Sequence, residues 1–305
     1  MDRRRHPEGM IFHNWRAADG WRLRAFDWPV GAPRGRLLFL GGRGDFAEKY
    51  LEAMAHWRTQ AWSVSGFDWR GQGGSGRILA DPLLNHLDAF DPLLDDLADY
   101  VAGWRGDTGP NVVVAHSMGG HFLLRLLIER GAAIDAAVLS APMIALRAGP
   151  LGTRGIGALA AAAILAGRAQ RRVWEGDAGN VGGRMTSSPE RQADKVWWKE
   201  TVPEIASGAP TWGWTRAAVR SIARVDAAAL ARVETPLLLL VSRRDPIVSA
   251  PAIVRAARIL PDAALEIYPG QGHELLREAD AIRMNVLARI DAFFAATPSG
   301  IKPPR

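Results

Sequence analysis

The chain has 305 residues, 48% of them hydrophobic, a formal net charge of +6 and no cysteine. That length suits a single α/β domain carrying an insertion. The missing thiols exclude disulfides, cysteine-ligated zinc, iron–sulfur clusters and a thiol nucleophile. Most of the positive charge is dispersed arginine without a zinc-finger, KH or RNP-type string, which argues against a nucleic-acid partner.

The basic start, MDRRRHPEG, is followed by no apolar core of the kind that marks a secretory signal. Ile11 to Trp15 and Trp21 to Trp28 flank a turn at Ala18-Asp19-Gly20 and read as a hairpin. Arg36 to Leu40 is a buried-type strand, followed by the loop Gly41-Gly42-Arg43-Gly44-Asp45 and a helix from about Phe46 to Trp57. Trp62 to Phe67 is the next strand, ending in the glycine-rich turn Asp68 to Arg77, and helical spacing resumes from Leu87 to Trp104. The apolar run Val112-Val113-Val114 then breaks at His116-Ser117-Met118-Gly119-Gly120, and a leucine-rich helix follows. Ala136 to Ser140, Pro236 to Val241 and Ala264 to Tyr268 are further strands, and a closing helix spans roughly Ala279 to Phe294. The tail from Thr297 reads as frayed.

Strands alternating with helices imply a mostly parallel sheet covered on both faces. The stretch from Met143 to Ile222 breaks that rhythm, with helical propensity, much Ala and Trp, and interruptions by Gly and Pro. The expected organisation is therefore a core of residues 10–142 and 223–296, with a helical cap inserted at 143–222. The longest apolar stretch, Gly155 to Gly167, lies between Arg154 and Arg168, short of the ~20 residues that span a bilayer. It reads as a cap helix packed on the core; its alternative is a helix lying at a membrane interface. The expected location is cytoplasmic, with peripheral contact to an anionic inner-membrane face as the sharper reading of the charge.

A strand, a sharp turn with serine at its apex and then a helix make a nucleophile elbow, which strains the serine backbone and exposes its hydroxyl. Acyl transfer through Ser117 needs a base and a group to orient that base. His273, in the glycine-punctuated loop Gly270-Gln271-Gly272-His273, follows the last strand and supplies the base. His116, beside the serine, is expected to point away. Asp245 stands just beyond the Leu237 to Val241 run and supplies the orienting acid, its other reading being a turn aspartate before Pro246. Glu266, Glu274 and Asp262 are weaker candidates. The oxyanion needs backbone donors: the N–H of Met118, and the N–H of Arg43 in the loop after Leu40. That loop lacks the spacing of a dinucleotide or Walker motif, and no cofactor or metal is called for.

Together these strings resemble the lysophospholipase and monoacylglycerol lipase branch of the α/β-hydrolase superfamily, particularly its bacterial lysophospholipases. The resemblance is carried by Gly42 to Tyr50, Asp68 to Gly76, His116 to Gly120, Asp245 to Val248 and Gly272 to Glu278. Within the insertion, Thr186 to Arg191 and Gly208 to Trp214 look like cap segments of that group. The resemblance implies an α/β-hydrolase fold, a Ser117–His273–Asp245 triad, Arg43 and Met118 as oxyanion donors, and a lipid ester substrate. Trp197, Trp198, Trp212 and Trp214 line an acyl channel or fill the cap core, and Trp212 and Trp214 are the ones expected to contact the substrate. Two departures stand out: Gly41 replaces the histidine that usually opens the oxyanion loop, and Ala115 replaces the first glycine of the elbow. A short-chain carboxylesterase or thioesterase on the same scaffold is the nearest rival reading, and a non-catalytic binding protein the more distant one.

Overall fold

The computed structural model describes residues 1–174 and 185–296. The frayed-tail expectation at Thr297 onward lies outside them, as does part of the expected cap. Eight strands form one sheet in the order β1-β2-β4-β3-β5-β6-β7-β8. They are β1 Ile11–Arg16, β2 Arg22–Trp28, β3 Gly35–Leu40, β4 Trp62–Phe67, β5 Asn111–His116, β6 Ala136–Ser140, β7 Leu237–Ser242 and β8 Ala263–Tyr268. The β1–β2 hairpin and the β2–β4 pair are antiparallel, and every pair from β4 through β8 is parallel. Both β5 and β7 are buried along their whole length, which is why their sequences are continuous apolar runs without alternation. The edge strand β1 carries the exposed Ile11 and the polar His13, Asn14 and Arg16.

The helices are α1 Leu51–Thr59, α2 Asp91–Trp104, α3 Met118–Arg130, α4 Gly152–Leu165, α5 Pro189–Thr201, α6 Trp212–Ile222, α7 Ala227–Leu230, α8 Ala250–Ile259 and α9 Asp280–Ala296. One face of the sheet packs on α2, α3 and α8 through Leu93, Leu97, Phe122, Leu123 and Ile253. The other packs on α1 and α9 through Met54, Trp57, Val286, Leu287 and Ile290. Strand order reverses between β3 and β5, whose last residues are neighbours: Leu40 pairs with Ala115. The loops leaving these two strands therefore diverge, opening a crevice at the carboxyl edge of the sheet, where sites form in such sheets.

Some boundaries differ from expectation for local reasons. The helix expected from Phe46 opens as a tight 3₁₀ turn, Ala47–Tyr50, before α1. The helix expected from Leu87 starts only at Asp91, because Asn85 is tied into extended backbone bonds with Ala209 (3.1 Å) and Thr211 (3.0 Å). Neither α7 nor α8 was anticipated; Asp226 caps α7 by accepting the Ala229 N–H at 2.8 Å, and Pro251 opens α8.

Between β6 and β7 the described residues carry the helices α4, α5, α6 and α7. Gly157 lets α4 approach α6 closely, since a Cβ there would stand 2.6 Å from Val219 Cγ1. Only Gly157 and Ala160 of α4 are buried, and Leu165 is 90% exposed. So α4 leans on α6 along a narrow small-residue stripe, with Leu159 and Leu165 exposed. No helix among the described residues is long and apolar enough to cross a membrane. At the other end, the basic start of the chain clasps α5. Arg3 and Arg4 both bond the Asp194 carboxylate, at 2.5 and 2.7 Å, and the Trp198 indole donates to Arg3 O at 2.8 Å.

Candidate active site

Ser117 joins β5 to α3 with φ 52° and ψ −112°, a strained geometry for a residue with a side chain. The small residues around it make the turn fit. A Cβ on Gly119 would stand 2.6 Å from the carbonyl oxygens of both Leu40 and Gly41, so only glycine lets α3 pass the end of β3. Ala115 takes the other small position, fully buried between Leu40 and Leu139.

Three of the expected residues meet here. His273 Nε2 lies 2.9 Å from Ser117 Oγ, and His273 Nδ1 lies 2.6 Å from Asp245 Oδ2. A carboxylate only accepts, so Nδ1–H donates to Asp245 and Nε2 is left to receive the serine proton. All three residues are nearly inaccessible to solvent. Asp245 Oδ1 accepts the N–H groups of Ile247 (2.8 Å) and Val248 (2.9 Å), as a turn aspartate does, while Oδ2 bonds the imidazole. Burial pushes its carboxyl pKa up, but His273 and those two amides outweigh burial and hold it below the usual range.

The loop after β3 lies directly on the elbow. A Cβ on Gly42 would stand 2.9 Å from Ser117 Cβ, so this glycine is required by close approach. Side chains grip the loop. The Asp45 carboxylate accepts the Gly42 N–H at 2.7 Å and the Tyr50 hydroxyl at 3.0 Å, and Gln72 Oε1 accepts the Gly44 N–H at 2.6 Å. Asp68 accepts the Ala47 N–H at 3.0 Å, so the glycine-rich turn at Asp68 to Arg77 acts as a brace for this loop. The amides flanking Arg43 are thus both fixed. A Cβ on Gly41 would stand 3.0 Å from Asp45 Cβ. Gly41 and Asp45 form a matched pair, and the loop is held rigid without the histidine missing from position 41. The Met118 N–H, in the first turn of α3, has no intrahelical acceptor.

Behind the loop is a buried charge network that the sequence reading missed. Lys49 pairs with Asp45 and donates to Glu274 at 2.6 Å, and Arg277 pairs with Glu274 from the other side. Burial alone would raise both carboxyl pKa values; the Lys49 ammonium reverses that and keeps Asp45 and Glu274 ionised. Glu274, considered above as a lesser candidate acid, is occupied there and not on His273. The cleft in front of Ser117 is lined by Gly42, Arg43, His116, His273, Met185 and Ile247, among others. His116 does not turn away: its ring centroid is 4.8 Å from that of His273. Burial and the neighbouring His273 lower its pKa to about 4, so it stays neutral.

The two tryptophans lie further back. Trp214 is buried against Phe90, with ring centroids 5.3 Å apart, and carries the Arg43 guanidinium 5.6 Å above its ring. Trp212, half-buried, begins α6. Neither is among the described residues lining the cleft.

Residues 31–280 match the family model of the serine aminopeptidases, S33, a hydrolase family. The chain belongs to this family. Within it, this S33-type hydrolase is 31% identical over 284 residues to lysophospholipase L2 of Escherichia coli K12, covering 85% of the chain and 80% of the relative. It is 27% identical over 272 residues to the probable lysophospholipase L2 of Haemophilus influenzae, covering 87% and 85%. Its structure superposes on a soluble variant of monoglyceride lipase from Saccharomyces cerevisiae with a TM-score of 0.76 at 18% identity, covering 97% of this chain and 98% of that one. A carboxyl esterase from Bacillus coagulans matches equally well, with a TM-score of 0.76 at 16% identity over 95% and 99% of the two chains. The fold is that of the α/β-hydrolases, and the protein is a hydrolase.

Proposed function

We propose that this protein is a cofactor-independent serine esterase that hydrolyses the carboxylic ester of a single-chain lipid, a lysophospholipid or a monoacylglycerol. The observation that carries the reading is the continuous hydrogen-bonded path from Ser117 through His273 to Asp245 inside a crevice of the sheet. The lysophospholipase relatives, at up to 31% identity, direct it toward lipid esters.

Ser117 Oγ attacks the ester carbonyl while His273 Nε2 takes its proton. Asp245 holds the ring in the required tautomer and stabilises the imidazolium that forms. Negative charge develops on the carbonyl oxygen, where the N–H groups of Met118 and Arg43 receive it. His273 then protonates the leaving glycerol oxygen, and water attacks the acyl-enzyme by the same route in reverse. Residues 143–222 act as a cap over this site, inserted between core segments 10–142 and 223–296. Trp214 positions the oxyanion loop through Arg43, and the half-buried Trp212 contacts the acyl chain beyond the cleft. The exposed leucines of α4, with Arg168 and Arg171 beyond them, bring the cap to an anionic membrane surface.

The test is fatty-acid release by purified protein from a long-chain lysophospholipid, a matched monoacylglycerol and a short-chain ester. Ser117→Ala is expected to lower release by about 10⁶-fold, as where triad members act as one unit, and to abolish labelling by a fluorophosphonate. Near-normal release by Ser117→Ala would overturn the mechanism. Release from the short ester alone would keep the triad and move the function to a general esterase.

A further inference from the structure

One imidazole must meet two partners at once, Asp245 at 2.6 Å and Ser117 at 2.9 Å. It can do so only if the backbone that carries it is fixed. The residues flanking His273 are held one by one. Gln271 O accepts the hydroxyl of Ser242, the last residue of β7. The Glu274 N–H donates to Met185 O at 2.8 Å. The Gly272 N–H, adjacent to His273, donates to Glu278 Oε1 at 2.7 Å. The other oxygen, Glu278 Oε2, accepts the Ser187 N–H at 2.8 Å and the Ser187 hydroxyl. Glu278 is fully buried, and a buried carboxylate is costly unless donors surround it. Its donors come from the histidine loop on one side and from the cap on the other. A carboxylate is a rigid fork, so its two oxygens fix Gly272 and Ser187 relative to each other. Residues 185–188 are stitched down beside it: the Thr186 hydroxyl donates to Arg277 O at 2.6 Å, and Arg191 donates to Glu278 O at 2.9 Å. Met185, at the start of that segment, lines the cleft in front of Ser117, whereas Glu278 does not.

We propose that Glu278 is a positioning residue for the base, holding His273 in place through Gly272 and tying that placement to cap residues 185–188. The proposal rests on the esterase reading above, in which His273 takes the Ser117 proton. Without the acceptor at Oε1 the Gly272 amide relaxes, and the imidazole drifts from Ser117, from Asp245 or from both. A displacement of about 1 Å costs about 10²-fold in rate. Glu278 stands outside the cleft, so its loss falls on kcat and leaves KM nearly unchanged. The cap then acts on the chemistry as well as on access to it, because a shift of residues 185–188 reaches the base through one side chain.

The decisive experiment measures kcat and KM on a short-chain ester for the wild type, Glu278→Gln, Ser187→Ala and Thr186→Val. An amide presents a donor where the carboxylate accepted. Glu278→Gln is therefore expected to lower kcat about 10- to 100-fold, with KM within about threefold of wild type. Thr186→Val removes the bonds of the Thr186 hydroxyl to Arg277 O and to the Ser188 N–H but leaves Gly272 alone. It should lower the thermal midpoint while keeping kcat within about twofold. Equal losses of kcat in Glu278→Gln and Thr186→Val would reveal a structural role only and overturn the proposal, as would an unchanged kcat in folded Glu278→Gln. If Glu278→Gln does not fold, Ser187→Ala decides, because Ser187 is exposed and tolerates alanine. Its kcat should fall about three- to tenfold, and an unchanged kcat would overturn the proposal. A second arm needs no turnover. The His273 Nδ1–H, bonded to Asp245, gives a far-downfield proton NMR line, assigned by its loss from Asp245→Asn. Glu278→Gln should shift or broaden that line and Thr186→Val should not; a line that stays in place in Glu278→Gln would overturn the proposal. A wild type that hydrolyses no ester would refute the esterase reading, while the NMR arm would still decide whether Glu278 places His273.

Discussion

Gly42→Ala tests the proposed oxyanion loop without replacing any residue of the proposed triad. Gly42 is not among the glycines with positive φ, so alanine brings no backbone strain of its own. The new methyl would stand 2.9 Å from Ser117 Cβ and 3.2 Å from both Asp45 Oδ2 and His116 Cδ2. Carbon–carbon contacts settle at ~3.5–4.0 Å, so about 0.6–1 Å must be found. Ser117 is poorly placed to retreat, since its N–H donates to Ser140 O at 2.9 Å and its carbonyl accepts from Met143 at 3.0 Å and His121 at 3.1 Å. The loop must move instead, carrying the Arg43 amide with it. Misplacement on that scale costs about 10²-fold, and loss of one oxyanion donor about 10²–10³-fold. We expect kcat on a short-chain ester to fall 10²- to 10³-fold, roughly, with KM changed much less. Fluorophosphonate labelling should slow in parallel. Overpacking costs ~1–3 kcal/mol, so the thermal midpoint should drop by only about 2–5 °C. A folded Gly42→Ala variant with kcat within about threefold of wild type would refute the assignment of this loop to the oxyanion hole.

Asp245→Asn should lower kcat by about 10⁴-fold by reversing the imidazole tautomer, with little change in the melt because the Asn oxygen can still accept from Ile247 and Val248; undiminished turnover would show that another carboxylate orients His273. His121, buried with Nε2 2.6 Å from Ser221 Oγ, has its pKa lowered to about 3, first by burial and then by Arg125. Its stabilising effect is present above the ordinary histidine value and is lost as pH falls from about 6.5 toward 3, at ~1.4 kcal/mol per pH unit. His121→Gln should remove that slope from urea midpoints measured between pH 6.5 and 4; an unchanged slope would refute the account. Leu165→Glu at the end of α4 should reduce sedimentation with anionic vesicles, and rising salt should reduce it for the wild type too; a variant that sediments like wild type would exclude α4 as the contact.

The strands and the elbow were legible because their signals are local. A run such as Leu237 to Val241 has one stable placement, inside a covered sheet, and the break at His116-Ser117-Met118 can only be a tight turn. The Ser117–Asp245–His273 constellation followed from chain order, since each residue ends or follows a strand in the same parallel sheet. What the sequence concealed depends on distant pairing. Lys49 and Glu274 are 225 positions apart, and neither carries a sign that it will be buried opposite the other. Asp45 appeared only as one letter in a loop, although it fixes the amide of Gly42 and replaces the rigidity expected from a histidine at position 41. The late start of α2 had the same cause, for Asn85 is held by Ala209 and Thr211 from the far side of the cap.

The clasp between the first residues and α5 bears on how the molecule breathes. Arg3 and Arg4 grip Asp194 one position before Lys195, while Trp198 of the same helix bonds the Arg3 carbonyl. A helix tethered on its outer side by a terminal segment opens when that segment frays, as one cooperative unit at the low end of the stability scale. Amide exchange along α5 should therefore follow the opening of residues 3–6 and not global unfolding. On this view a helix that lines the cleft is steadied by two residues, Arg3 and Arg4, that do not line it themselves.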